Sequence, residues 1–191
     1  MNFWDDYASD YGVLSLPDED WQRVHDYQLD LLRERLPSRG GRVLELGGGV
    51  GRLLIPLAEE NRDVEFWNYD SSPGMLAEFT SRAADLKNVR ATDSLSLRTQ
   101  FDLIYCVLVI QHNDPDGLKK LALAMVEMLK PRGRILLQFV RGEEFAAHGP
   151  RSFDYKKEQI SELLPVDVFF KDESGYADSW WWAEVDRQIL S

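Results

Sequence analysis

Apolar positions along the chain keep two different periods. Over residues 21–36 they recur at helical spacing (Trp21, Val24, Leu31, Leu32), with acidic residues ahead and Pro37 behind, which predicts an amphipathic helix. Residues 42–46 form a short strand running into Gly47, and residues 51–60 read as a helix with Pro56 in its second turn. A strand over 64–69, a helix over about 74–86 and a strand over 89–91 follow. Residues 101–107 are nearly all apolar, which suits a central parallel strand covered on both faces. Asp114-Pro115-Asp116 then supplies an N-cap, a proline at the first helical position and a first-turn acid. Leu118, Leu121, Ala122, Met125 and Leu129 make one helical stripe, which Pro131 and Gly133 are expected to stop, before a strand over 134–140.

Strand–helix alternation with short connections predicts a parallel sheet with helices on both faces. The pattern changes after residue 140. A polar stretch over 141–154 leads to a short helix over 156–164, and runs over 166–170 and 180–185 predict two strands joined through Gly175. Two strands that close, with no helix between, should pair antiparallel. The expected fold is therefore α/β and doubly wound, a seven-stranded, mostly parallel sheet with an antiparallel pair at its C-terminal end. One domain over 1–191 is expected, in which residues 1–36 form a helical lid or cap.

Composition narrows the partners. The 191 residues carry 22 basic against 33 acidic side chains, a net charge of −11, with no Lys/Arg-rich stripe, which argues against nucleic acid or an anionic membrane. The longest apolar run, residues 103–110, is too short to cross a bilayer, and the first residues are acidic where a targeting peptide would be basic. Cys106 is the only cysteine, so no internal disulfide can form, and no metal-ligand cluster stands out. A cytoplasmic monomer or homodimer is expected.

The chemistry concentrates in Val43-Leu44-Glu45-Leu46-Gly47-Gly48-Gly49-Val50-Gly51-Arg52, a strand, a glycine turn and a helix start. Glycines permit positive φ and close approach of a ligand, and the helix start offers unpaired N–H groups to an anion. A tight structural turn would use similar residues. The spacing does not fit the dinucleotide fingerprint, which needs a small residue where Arg52 stands, and the phosphate-loop pattern is missing. What remains is E-x-G-x-G-x-G.

This segment resembles the first motif of the class I S-adenosylmethionine-dependent methyltransferases, of small-molecule type. The resemblance implies that Gly47, Gly48, Gly49 and Gly51 pass the methionine part of the cofactor, that Glu45 contacts its amino group, and that Arg52 holds its carboxylate; a solvated first-turn arginine is the other reading of Arg52. Tyr69-Asp70-Ser71-Ser72-Pro73-Gly74-Met75-Leu76 resembles the second motif, in which Asp70 takes both ribose hydroxyls and Ser71 and Met75 line the cofactor; alternatively Asp70 only caps the helix. Residues 88–94 resemble the third motif, with Asp93 on the adenine amine and Ser94 giving a backbone N–H. Residues 101–106 and 129–135 resemble the fourth and fifth strands with their flanks, so the likeness runs from about 42 to 140 in unbroken order. Cys106 and Val107 close the fourth strand beside the cofactor, Cys106 reading as a small buried hydrophobe and not a nucleophile.

In this family the residues after strand four face the methyl group, which points to Ile110-Gln111-His112-Asn113-Asp114. His112 is the candidate base, since its ordinary pKa lies near neutral; packing against the next helix is the alternative. Tyr7 and Tyr11 read either as part of a lid over the cofactor or as part of a plain amphipathic helix. In Trp180-Trp181-Trp182, strand alternation puts the outer two on one face, as core or as an aromatic wall for a cationic amine. The implied activity is methyl transfer from S-adenosylmethionine, leaving S-adenosylhomocysteine (SAH), to N or O of a small-molecule or peptide-terminus acceptor. A non-catalytic cofactor-binding module is the alternative.

Overall fold

The computed structural model describes residues 4, 5, 8, 19–140, 153–176 and 178–186. Its elements are α1 (Glu19–Arg33), β1 (Arg42–Leu46), α2 (Leu54–Glu60), β2 (Glu65–Tyr69), α3 (Pro73–Arg82), β3 (Val89–Thr92), β4 (Phe101–Val107), a 3-10 turn (Ile110–His112), α4 (Pro115–Met128), β5 (Leu129–Val140), α5 (Lys157–Leu163), β6 (Val168–Lys171) and β7 (Trp180–Asp186). The seven strands stand in the order β3-β2-β1-β4-β5-β7-β6. The chain divides into two compact units, residues 1–94 with 173–176, and residues 95–172 with 177–191.

In the first unit β1 pairs with β2 and β2 with β3, all parallel. Val43, Leu44 and Leu46 of β1 and Phe66 of β2 are fully or almost fully buried, as strands covered on both faces require. α1 buries Val24, His25, Gln28, Leu29 and Leu32, a stripe at helical spacing that includes two polar residues. The far end of α1 is clamped by Arg33, whose Nε and Nη2 meet the two carboxylate oxygens of Glu60 at 2.8 and 2.6 Å. That pairing draws the Glu60 carboxyl below its usual range. Helix α2 begins at Leu54, three residues later than expected, so Pro56 falls in its first turn, where a proline removes no intrahelical hydrogen bond.

In the second unit β4 and β5 run parallel, and β7 pairs antiparallel with both β5 and β6. Asp114 caps α4 as its sequence implies, its carboxylate accepting the Gly117 N–H at 2.8 Å behind Pro115. Pro131 and Gly133 do not end the helix. It stops at Met128, and Leu129 already pairs with Phe101, so both residues lie inside β5 at a register shift. Gly133 is needed there, since a Cβ would lie 2.7 Å from the Leu129 side chain and 2.9 Å from the Phe101 carbonyl. Trp180 and Trp182 are fully buried on one face of β7, while half-buried Trp181 on the other carries the Lys157 ammonium 3.2 Å from its ring centre. The outer two therefore serve as core and present no open wall to an acceptor. Among the described residues no helix is long and apolar enough to cross a membrane.

Candidate cofactor site

β1 runs straight into the glycine turn. The Gly47 and Gly48 N–H groups both donate to the Tyr69 carbonyl, at 2.7 and 3.3 Å, which ties the turn to the end of β2. Gly47, Gly49 and Gly51 have φ of +69°, +53° and +83°, so the turn requires the conformational freedom of glycine. The glycines differ in what surrounds them. A Cβ on Gly48 would stand 2.4 Å from Asn68 Oδ1 and 2.7 Å from the Glu45 carboxyl carbon, and one on Gly51 would stand 2.5 Å from the Phe79 ring. A Cβ on Gly49 would meet only Met75 Sδ, at an ordinary 3.6 Å. Gly48 and Gly51 are therefore demanded by the protein's own packing, and Gly49 is the glycine that keeps room beside it.

Asp70 follows β2 and faces this turn. Its Oδ2 accepts the Gly49 N–H and its Oδ1 accepts the Ser72 N–H, both at 2.9 Å. Burial pushes its carboxyl above the ordinary 3.8; backbone N–H bonds from Ser72, Gly49 and Ser71 pull the other way, and the Asp5 charge adds to the rise. The helix cap is Ser72, whose Oγ accepts the Met75 N–H at 3.2 Å with Pro73 behind it. The capping alternative for Asp70 is thereby corrected: Ser72 does that work.

An N-terminal piece is seated here as well. Asp5 Oδ1 accepts from Ser72 Oγ at 2.5 Å and from Gly74 N at 3.0 Å. Ala8 packs with Val50 and Met75, and Trp4 packs against that cluster. A Cβ on Gly74 would come within 3.0 Å of the Asp5 backbone, so this close approach needs glycine. Tyr7 and Tyr11 lie outside the described residues.

Arg52 is not a solvated first-turn residue. It is half-buried, with Nη1 2.9 Å from His25 Nδ1 and Nη2 donating to Gln28 Oε1 at 2.7 Å. Glu45 is buried beneath Gly48 and Met75 is 2 % exposed, whereas Ser71, Asp93 and Ser94 are exposed. The Ser94 N–H, expected to face the adenine, donates instead to Thr92 Oγ1 at 3.1 Å. The first unit thus brings Glu45, the glycines, Arg52, Asp70 and Met75 around one turn.

In the second unit Cys106 is wholly buried and Val107 half-buried at the end of β4. Leu108 follows with φ +57°, an uncommon and costly conformation for a branched residue. It is held by Gln138, whose carbonyl accepts the Leu108 N–H at 3.2 Å, and by Gln111, whose Nε2 donates to the Leu108 carbonyl at 2.7 Å. His112 ends the 3-10 turn, half-buried. The turn is stapled from outside. The Phe153 N–H donates to the Gln111 carbonyl at 2.7 Å, and the Tyr155 hydroxyl donates to the Asn113 carbonyl at 2.7 Å.

The residues present fit S-adenosylmethionine. A carboxylate held by the backbone N–H groups of Gly49, Ser71 and Ser72 keeps accepting capacity for neighbouring hydroxyls, and Gly49 leaves space beside it. Among the described residues no cluster is arranged to hold a metal ion. Sequence reasoning missed Asn68, which braces the turn by donating to the Gly49 carbonyl at 2.9 Å, and also Asp5, His25 and Gln28. Asn68 could have been flagged as the polar residue at an inner strand position, and His25 and Gln28 as members of the Trp21–Val24–Leu32 stripe. Nothing in the local sequence marks Asp5.

Residues 44–135 match the family model described as a methyltransferase domain. No curated protein sequence matches significantly. The fold is similar to that of magnesium protoporphyrin IX methyltransferase from Synechocystis PCC 6803 with bound SAH, at TM-score 0.74 and 18% identity, covering 97% of each chain. It is also similar to an S-adenosylmethionine-dependent methyltransferase from Clostridium acetobutylicum ATCC 824, at TM-score 0.68 and 20% identity, covering 97% of this chain and 99% of that one. A third likeness is to the glycopeptide N-methyltransferase MtfA with bound S-adenosylmethionine, at TM-score 0.68 and 19% identity over 83% and 92% of the two chains. Residues 44–135 are thus similar to a methyltransferase domain, and the fold is that of the S-adenosylmethionine-dependent methyltransferase structures the chain resembles.

Proposed function

We propose that this chain is an enzyme that transfers a methyl group from S-adenosylmethionine to a nitrogen or oxygen of a small-molecule or peptide-terminus acceptor. The observation that carries the reading is the Asp70 carboxylate, clamped by Gly49 N–H and Ser72 N–H against a glycine turn inside a methyltransferase domain. The cofactor supplies an electrophilic methyl group on a sulfonium. The protein's own task is then to bind, to orient the acceptor and to exclude water. Asp70 takes the ribose hydroxyls, Gly47 to Gly51 pass the methionine part, Glu45 and Arg52 take its amino and carboxylate ends, and Asp93 takes the adenine amine. His112 removes the acceptor proton, the role that the post-β4 position implies in relatives. Residues 1–191 are read as one working domain, a cytoplasmic monomer or homodimer.

The acceptor class follows from charge and from likeness, not from the fold, because one fold carries many acceptors. Similar structures include proteins described as a glycopeptide N-methyltransferase and a coclaurine N-methyltransferase. The test is SAH release from S-adenosylmethionine with panels of small amines, hydroxyls and peptide termini. Turnover with one class supports the reading. Cofactor binding without turnover on any of them would instead favour a non-catalytic binding module. With an acceptor found, His112→Ala should lower kcat with little change in cofactor affinity and flatten the acidic limb of the rate profile; full activity with the same pH dependence would return His112 to a packing role.

A further inference from the structure

We infer that His25 and Gln28 are positioning residues for the cofactor carboxylate, acting through Arg52. The inference rests on the proposed role of Arg52 and adds a mechanism to it. Gln28 is completely buried and His25 is 9 % exposed, and both spend hydrogen-bonding capacity on one guanidinium, at 2.7 and 2.9 Å. Burying two polar side chains is costly unless each is satisfied, and a helix meant only to pack would carry apolar residues at these two inward positions. The contact fixes the plane of a side chain that would otherwise sample many rotamers. A guanidinium held in one plane pays less to meet a planar carboxylate than a mobile one does.

The arrangement works only with neutral His25. Arginine can only donate, so Nδ1 must be the acceptor and the proton must sit on Nε2. Protonation would remove that acceptor and set a cation against Arg52. The groups facing His25 are Arg52 across the contact and Asp26 and Arg33 on its own helix. Burial first, then Arg52 and Arg33, hold its pKa below 6.5, against the opposing pull of Asp26. A base depressed in this way contributes stability above about pH 6.5 and loses it as pH falls through the folded value. Arg52 is therefore held at neutral pH and released in acid.

Calorimetric titration tests this with two probes, SAH and 5′-methylthioadenosine, which keeps the nucleoside but has no carboxylate. Wild-type affinity for SAH, taken relative to methylthioadenosine so that the shared Asp70 contact cancels, should fall by up to about tenfold as pH is lowered from about 8 through the depressed His25 value, the size of one lost hydrogen bond to a charged group. His25→Gln, which keeps an acceptor that does not titrate, should hold wild-type affinity at pH 8 and lose most of that slope. His25→Ala and Gln28→Leu should bind SAH about five- to tenfold more weakly at pH 8 while binding methylthioadenosine as the wild type does. Thermal unfolding identifies any variant that fails to fold, and His25→Gln and Gln28→Leu carry the test if His25→Ala does. If Arg52→Ala binds SAH normally, the carboxylate role of Arg52 fails and the inference with it. If Arg52→Ala is weakened but His25→Ala affects both probes equally or neither, or His25→Gln keeps the wild-type slope, the inference alone is overturned.

Discussion

Asp70 and Gly49 share one hydrogen bond, and two predictions follow from it. Asp70→Ala should weaken S-adenosylmethionine binding by about 1.5–3 kcal/mol, the usual size for a bond to a charged group, and calorimetry on the folded variant reads it directly. Unchanged affinity would reject the ribose assignment. Its pH dependence has a definite sign. The folded state holds the Asp70 proton more tightly than the unfolded chain does, so the residue favours folding below 3.8 and loses that contribution as pH rises through the raised value. Cofactor affinity moves the opposite way and falls as acid neutralises the carboxylate. The second prediction separates two glycines. Gly48→Ala drives a methyl group into Asn68 and Glu45 and should cost about 1–3 kcal/mol of stability. Gly49→Ala has space and pays only for its φ of +53°, about 1–2 kcal/mol. Denaturant melts that ranked Gly49→Ala as the more damaging would contradict the packing account.

Elements are joined by a few buried polar groups. Asp172, just after β6, is 5 % exposed, and one of its oxygens accepts both Gln138 Nε2 of β5 at 2.6 Å and Trp182 Nε1 of β7 at 2.8 Å. Asp172→Ala leaves two buried donors without their acceptor and should destabilise the protein by about 2–4 kcal/mol. Asp172→Asn still presents one carbonyl oxygen to both donors and should cost much less. Equal losses for the two variants, measured by thermal or urea unfolding, would show that the carboxylate charge matters and not this shared oxygen. The same network explains the tryptophan run. Trp182 is held as core by its indole N–H as well as by area, and Trp181 on the opposite face packs under Lys157.

For the molecule as a whole, a net charge of −11 opposes any polyanionic acceptor. Nucleic-acid methyltransferases must hold a phosphate backbone and usually extrude the target base, which needs positive surface. The expected outcome is no retention of tRNA or duplex DNA in filter binding at low salt, where electrostatic association is strongest. Tight, salt-sensitive retention accompanied by methyl incorporation would overturn the small-molecule reading.

Period and spacing in the chain determined the alternation of elements, all seven strands, the antiparallel C-terminal pair, the N-cap at Asp114 and the place of the glycine turn after β1, because these rest on local sterics, side-chain alternation and short-range capping. Element ends were less legible. The start of α2 and the passage from α4 directly into β5 depend on what each backbone pairs with: Leu129 turns extended because Phe101 is its partner. Only tertiary structure decided which glycines admit no side chain, since the atoms nearest to a Cβ at Gly48 and Gly51 come from Asn68 and Phe79, well apart in sequence. It also decided that Arg52 is held and not solvated, because the two side chains that hold it lie 24 and 27 residues earlier, on a helix whose stripe looked merely apolar. Hydrogen bonds between distant residues leave no periodic trace in a sequence; they exist once packing has brought the partners within 3 Å.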